Sequence, residues 1–409
     1  MRLCDVVEFH SPISGGVKRY LGDKIAFCAA RPDVEHTVLV PAASAGIRRE
    51  GRSRIVGVRS PRVLGSRSYR VMASRRRLRA LIDAARPDVI EVDNAYRSAW
   101  VALEAGRARG APVVAFYHSD FPRAIGRTIR RFAGRVPERC LGGAIERYLA
   151  GLYNRMDATV AASRQTAGLL QRLGVRRIAV IPLGVDTARF RPRDARDRVR
   201  LELGLPPGAP LLLFVGRLCR EKNIRSLMDM ADRLAALSSP APRLLLVGDG
   251  ELHDSVVARA RPEGPVLWRP YTGDPDRLSD LYSAADVFVH AGMTETFGLV
   301  SVEAQACGAR VVAVRGGGLD STLAPEEAGG FAEDPGPDAL AAACRRVLAA
   351  ADTPAARARR RERVVREFSI DRTFERLFAL YDVLRGRDLA GRDAGEFIDG
   401  VPGACLRAG

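Results

Sequence analysis

The sequence predicts an α/β protein made of two doubly wound domains, each a parallel sheet with helices on both faces. Three observations carry this reading. Short apolar runs recur along the chain, separated by helical stretches of roughly 10–20 residues, the pattern of repeated βαβ units. The 409 residues exceed what one hydrophobic core organises. The alternation stops once, at a polar and basic stretch near 190–208 ending in Pro206-Pro207-Gly208, and restarts at Leu211.

The elements follow in order. Residues 3–9 read as a strand, broken by Ser14-Gly15-Gly16, and 17–30 continue as an amphipathic helix. Residues 36–40, 89–92, 113–117, 157–161 and 178–182 read as further strands, with a helix starting at Ser163. After the junction the strands are 211–215, 244–247, 266–268, 287–289 and 310–314, and ligands are expected at their carboxyl ends. Residues 339–366 read as one Ala/Arg-rich helical run. A last helix starts at Ser369-Ile370-Asp371 and places Phe374, Leu377, Phe378 and Tyr381 at i, i+3, i+4 and i+7. Residues 387–409 hold five glycines and little periodicity, so they read as a loose tail.

Composition narrows the class. Apolar residues make up 47% and charged residues 28%, a soluble balance. No apolar run nears the ~18–20 residues of a membrane helix. The start, MRLCDVVEFH, shows no secretory signal. The seven cysteines are scattered, odd in number and never form Cys-x-x-Cys, which argues against a disulfide framework or zinc site and for a reducing, cytoplasmic setting. Net charge is +17, which suits nucleic acid, a membrane surface or an anionic substrate. Only three lysines occur, so arginine usage of a GC-rich genome inflates that total.

The densest chemistry lies in 290–318, HAGMTETFGLVSVEAQACGARVVAVRGGG. Glu295 and Glu303 stand eight positions apart, with a turn at Thr296-Phe297-Gly298 and then an apolar helix start. A helix start offers backbone N–H groups and partial positive charge to a phosphate. A carboxylate one or two turns further on can accept hydrogen bonds from sugar hydroxyls. Such a segment suits a nucleotide sugar, although two glutamates alone would sooner describe a solvated helix face. A second segment, 214–223, ends a strand at Gly216 and carries Arg217 and Lys222. Fixed cations there stabilise a departing diphosphate, or merely form a surface ion-pair loop with Glu221.

Glu-x7-Glu followed by Ala-Gln-Ala-Cys-Gly, the β-rich run 310–314 and a triple glycine resembles the donor-binding signature of retaining glycosyltransferases of family 4. The resemblance implies the GT-B fold: two Rossmann-like domains facing a central cleft, with a C-terminal helix crossing back to the N-terminal domain. Implied bounds are 1–190 for the acceptor-side domain, 191–366 for the nucleotide-sugar domain, 367–386 for the crossover helix and 387–409 for the tail. It implies that Glu295 faces the donor hexose, that Phe297, Gly298 and Leu299 present backbone groups to sugar and phosphate, and that Glu303 binds ribose hydroxyls. Arg217 and Lys222 match the family's Gly-Arg…Glu-Lys segment, which bears on the diphosphate in place of a divalent metal. Gly15 and Gly16 match a loop against the donor phosphate or the acceptor. His118, in Tyr117-His118-Ser119-Asp120-Phe121-Pro122, matches a histidine that contacts the transferring sugar; Asp120 orients it or binds acceptor. Tyr271, after Arg269-Pro270, lies where the family recognises the base. The catalytic candidates are therefore His118, Glu295, Arg217 and Lys222.

Asp249 follows Gly248 after a strand and reads as a helix cap or a site residue. Asp274-Pro275-Asp276 mimics a metal-binding Asp-x-Asp but precedes a helical run; Asp276 reads as its N-cap, and no metal is expected. No cofactor is expected beyond the donor, GDP-mannose or a UDP-hexose. The run Thr294-Glu295-Thr296-Phe297-Gly298-Leu299 resembles mannosyltransferases that use GDP-mannose. The family resemblance implies transfer with retention to a lipid-linked or glycan acceptor. Two arginine-rich stretches, 67–79 and 123–139, read as basic amphipathic helices suited to the inner face of the plasma membrane, or as solvated faces. The competing readings are a nucleic-acid-binding protein, for which no binding module is evident, and a GT-B relative with other chemistry, such as an epimerase. A pyridoxal-phosphate phosphorylase needs a Schiff-base lysine, and the three lysines offer a poor choice.

Overall fold

Strands that are apolar on both faces demand helices on both sides, and the sheets are built that way. The computed structural model describes residues 1–8, 16–63, 70–118, 138–324 and 330–386. The chain divides into two compact units: Met1–Pro182 with the segment from Thr373 onward, and Leu183–Arg372.

The first unit holds β1 (Arg2–Val6), α1 (Gly16–Ala29), β2 (Glu35–Ala42), β3 (Gly46–Glu50), β4 (Ser53–Arg59), α2 (Arg75–Ala85), β5 (Val89–Val92), α3 (Arg97–Arg109), β6 (Val113–Tyr117), α4 (Glu138–Tyr153), β7 (Ala158–Ala161), α5 (Arg164–Arg172) and β8 (Ile178–Val180). Among the described residues its sheet runs β3-β4-β2-β1-β5-β6-β7-β8. All neighbours are parallel except β3 and β4, which pair antiparallel. The sequence reading lacked β3 and β4. Gly46-Ile47-Arg48-Arg49-Glu50 is exposed throughout and carries no apolar alternation, so only its pairing makes it a strand.

Register places Asp5 of β1 opposite Glu91 of β5 inside this unit. Lys24 of α1 is fully buried between them, its Nζ donating to Asp5 and Glu91 at 2.9 Å and to the Tyr381 hydroxyl at 3.0 Å. Burial disfavours the charged amine, but the two carboxylates outweigh it and raise its pKa. His36 joins Asp5 at 3.1 Å and Ser53 at 2.8 Å. Tyr381 belongs to the terminal helix Ile370–Arg385, whose Phe374 and Phe378 rings both lie 5.3 Å from Phe27 of α1. The apolar i, i+3, i+4, i+7 face of that helix is thus buried on the first unit, with the Tyr381 hydroxyl and the Thr373 hydroxyl, which donates to the Pro182 carbonyl at 2.9 Å, as polar anchors.

Helix α2 starts later than the arginine-rich run suggested. Ser74 caps it, accepting from the Arg77 amide at 3.4 Å, while Arg70 lies outside the helix and donates to the Ser60 carbonyl at 2.7 Å. Met72, Leu78 and Ile82 are buried in the core, so the apolar positions between the arginines are already occupied. The stretch 119–137 lies outside the described residues.

The second unit holds α6 (Arg196–Glu202), β9 (Leu211–Val215), α7 (Ile224–Leu237), β10 (Arg243–Val247), α8 (His253–Arg259), β11 (Val266–Arg269), α9 (Pro275–Ala284), β12 (Val287–His290), α10 (Leu299–Ala306), β13 (Arg310–Val314), β14 (Phe331–Ala332), α11 (Pro337–Ala349) and α12 (Pro354–Phe368). Its sheet runs β11-β10-β9-β12-β13-β14, all parallel. The winding reverses between β9 and β12, which makes their carboxyl ends the expected ligand crevice. Val185 forms a parallel bridge with Ser369, and a Cβ on Gly184 would lie 2.5 Å from the Ser369 carbonyl oxygen.

Two elements differ from the sequence expectation. The run 339–366 is two helices, because Pro354 cannot continue the first; Thr353 caps the second, accepting from the Ala356 amide at 3.2 Å. The N-cap of α9 is Asp274, whose carboxylate accepts from the Asp276 amide at 2.9 Å; Pro275 takes the first helical position, where its missing N–H costs nothing. Asp276 instead pairs with Arg193 at 2.5 Å.

Replacing Lys24 with Met leaves Asp5 and Glu91 buried without their cation. Equilibrium unfolding in denaturant should show a loss of about 3–5 kcal/mol; a loss below about 1 kcal/mol would refute the network's role.

Candidate active site

In the second unit, the chain leaves β9 at Gly216. A Cβ on Gly248, after β10, would sit 1.9 Å from the Gly216 carbonyl oxygen, so only glycine lets the two loops touch. The Gly216 amide donates to Val247 and the Leu218 amide to Asp249, at 3.0 and 2.9 Å. Gly248 and Asp249 thus shape the loop carrying Arg217. The Asp249 carboxylate accepts from the Gly250 amide at 2.7 Å and does not cap α8, whose N-cap is Leu252. The exposed Arg217 guanidinium makes no hydrogen bond or ion pair among the described residues.

The next residues, Arg220–Lys222, form one 3₁₀ turn, and Asn223 follows in the left-handed region at φ 51°. This turn faces the segment leaving β12 and is tied to it three times. Asn223 donates to the Ala291 carbonyl at 2.7 Å, and Thr294 donates to Glu221 at 2.7 Å. Lys222 Nζ donates to Glu295 Oε1. The strand-order reversal therefore brings together two of the predicted catalytic residues, 73 positions apart.

Glu295 has a further partner that no motif indicated. His290, the last residue of β12, is 1% exposed and places Nε2 at 3.4 Å from Glu295 Oε1. Burial alone would raise the pKa of Glu295; the His290 hydrogen bond and the Lys222 charge outweigh it and hold the carboxyl well below the usual carboxylate range. The triple glycine fixes the backbone here, since a Cβ on Gly318 would lie 2.0 Å from the Glu295 carbonyl oxygen.

Phe297 is 1% exposed and packs on Phe368, with 5.8 Å between centroids, so its backbone alone is available to a ligand. Gly298 adopts φ 91° as the N-cap of α10, and a Cβ there would lie 2.6 Å from Leu319 Cδ1. Leu299 opens the helix, whose first turn presents backbone N–H groups. Glu303, one turn on, is 2% exposed and accepts from the Tyr282 hydroxyl at 2.9 Å. Tyr271 stands apart after the edge strand β11, 66% exposed. Among the described residues, no group of three or more His, Cys, Asp or Glu is arranged to hold a metal ion.

In the first unit, Gly16 opens α1, and Gly15 lies outside the described residues. His118 follows β6. Its ring stacks on Phe116 at 4.2 Å and meets the Tyr20 ring edge at 4.7 Å, so α1 and the end of β6 are in contact. Burial pushes its pKa down to about 3, helped by the positive charge of Lys24, so the imidazole is neutral near pH 7. Asp120 lies outside the described residues.

Known proteins resemble this chain. Residues 195–364 match the family described as Glycosyl transferases group 1, and residues 14–189 match Glycosyltransferase Family 4. The chain belongs to the group 1 glycosyltransferases. It is 34% identical over 257 residues to a GDP-mannose-dependent alpha-mannosyltransferase of Mycobacterium tuberculosis, covering 62% of each chain. It is 28% identical to a GDP-mannose-dependent alpha-(1-6)-phosphatidylinositol dimannoside mannosyltransferase of the same species, over 85% of this chain and 88% of that one. Sucrose-phosphate synthase from Thermosynechococcus elongatus superposes with a TM-score of 0.73 at 24% identity, over 94% of this chain and 99% of that one, which shows the GT-B fold.

Two measurements check this geometry. Gly318→Ala pushes the Glu295 backbone aside, and kcat/KM for this glycosyltransferase should fall at least about 10-fold with the fold retained in circular dichroism. The second concerns His118, which binds its proton near pH 6.5 when unfolded but only near 3 when folded. Its contribution to stability is complete above pH 6.5 and is lost as pH falls from there toward 3. The His118→Phe variant should lose unfolding free energy less steeply in that window, by up to ~1.4 kcal/mol per pH unit; parallel curves for the two proteins would refute the neutral, half-buried ring.

Proposed function

We propose that this glycosyltransferase moves a mannosyl group from GDP-mannose to a hydroxyl of a lipid-linked or glycan acceptor, with retention of anomeric configuration and without a metal. The observation that carries the reading is the pairing of Lys222 with Glu295 at the strand-order reversal of the second sheet. Two relatives are GDP-mannose-dependent mannosyltransferases, which supports the donor. The phosphatidylinositol dimannoside named for one of them supports a lipid-linked acceptor.

In this reading Arg217 and Lys222 receive the diphosphate, and the first turn of α10, at Gly298 and Leu299, adds backbone N–H groups. Glu295 accepts hydrogen bonds from mannose hydroxyls, with Phe297 contributing backbone only. Glu303 binds the ribose, exchanging its Tyr282 partner or sharing it. Tyr271 offers an exposed ring to the base. The acceptor oxygen bonds to the anomeric carbon as the bond to the β-phosphate oxygen breaks. The acceptor proton passes to the departing phosphate, whose growing negative charge the two cations stabilise. In the first unit, Gly16 and the neutral His118 ring serve the transferring sugar or acceptor as hydrogen-bonding groups. Arg76 and Arg77 of α2 are exposed and offer an anionic surface electrostatic attraction, without insertion of apolar side chains.

Calorimetric titration with GDP, UDP and ADP in the presence of EDTA tests the donor. GDP should bind, and Lys222→Ala should weaken it at least about 10-fold. Glu303→Gln, which keeps the side-chain shape, should weaken it less and lower turnover. Selective binding of UDP would replace the donor, and binding of none of the three would end the reading.

A further inference from the structure

Glu295 has two donors of different character. Lys222 is a flexible cation, 14% exposed at its side chain. His290 is buried, and its ring lies 5.8 Å from Phe214 and 6.5 Å from Phe288 in near-parallel stacks. The Gly292 amide donates to His290 Nδ1 at 3.2 Å. A ring nitrogen that accepts a hydrogen bond carries no proton, so the proton resides on Nε2, the nitrogen that faces Glu295. Gly292 also makes room for the trio: a Cβ there would lie 2.8 Å from His290 Cε1 and 3.1 Å from Lys222 Cδ.

An ammonium group bound to Glu295 spends its charge on that carboxylate, and a diphosphate with its larger negative charge competes for it. Glu295 then loses its mobile partner at the moment it must be aligned on the sugar. We propose that His290 is a positioning residue that holds the Glu295 carboxylate in place once Lys222 has turned to the donor diphosphate. The inference rests on reading Lys222 and Glu295 as donor-site residues. It separates two functions: Lys222 governs affinity for the diphosphate, and His290 governs recognition of the sugar through Glu295.

The test compares wild type, His290→Phe and His290→Gln, titrated with GDP and with GDP-mannose and then assayed for kcat and KM. His290→Phe should bind GDP within about 2-fold of wild type, bind GDP-mannose about 10-fold more weakly, and lose kcat. His290→Gln returns an N–H donor toward the same oxygen and should recover much of the loss. Should His290→Phe fail to fold, His290→Asn, whose shorter amide falls short of Glu295, should show the same split. Equal weakening of GDP and GDP-mannose would overturn the proposal, as would GDP-mannose affinity and kcat that do not change. Wild type that binds no GDP would instead overturn the donor-site reading itself.

Discussion

The reversal of winding between β9 and β12 is the constraint on which the second unit's chemistry depends. Parallel strands send their loops out at the same edge, and neighbouring strands wound in opposite directions leave a gap there that no crossover helix covers. Glu221, Lys222 and Asn223 leave one side of that gap, and Ala291, Thr294 and Glu295 leave the other. Three side-chain links then join segments that are remote in sequence. Glycines at 248 and 318 set the backbone on either flank, since a Cβ at each would fall within 2.0 Å of a carbonyl oxygen.

The first unit solves a different problem. A lysine amine among two carboxylates and two tyrosine hydroxyls is costly to bury unless every partner is present. Asp5, Glu91 and Tyr381 supply the partners of the amine, and the Tyr20 hydroxyl donates to Glu91. The Tyr381 hydroxyl accepts from Lys24 and donates to Glu91, which ties the terminal helix to α1 and β5. The same network lies close enough to His118 to bear on its charge, which connects the packing of this unit to the protonation of a candidate site residue. The arginines of α2 are peripheral to both. Leu78 and Ile82 of the same helix pack inside the core of this unit.

Much of the second unit was legible in the sequence. The strands read at 211–215 and 310–314 coincide with β9 and β13, because continuous apolar runs between glycine-bearing turns leave little choice. The motif spacing indicated Glu295 and Lys222 separately, and Gly298 as the turn before a helix. Strand β3 was not legible, because a fully exposed, charged segment becomes a strand only by pairing; β4 is different, since its short apolar run with Ile55, Val56 and Val58 is buried and is a strand signal the sequence does carry. His290 was not legible either. A histidine at the end of an apolar run looks like core, and only the 3.4 Å approach to Glu295 distinguishes it.

By itself the sequence determined the class of the fold, the family and the residue types needed for a nucleotide sugar, because these depend on local periodicity and on contiguous motifs. The tertiary structure decided which of those residues meet. It set Lys222 against Glu295, placed His290 beside them, buried Glu303 against Tyr282 and neutralised His118. Each of these is a contact or a burial between distant segments, and a linear pattern carries no distance between its parts.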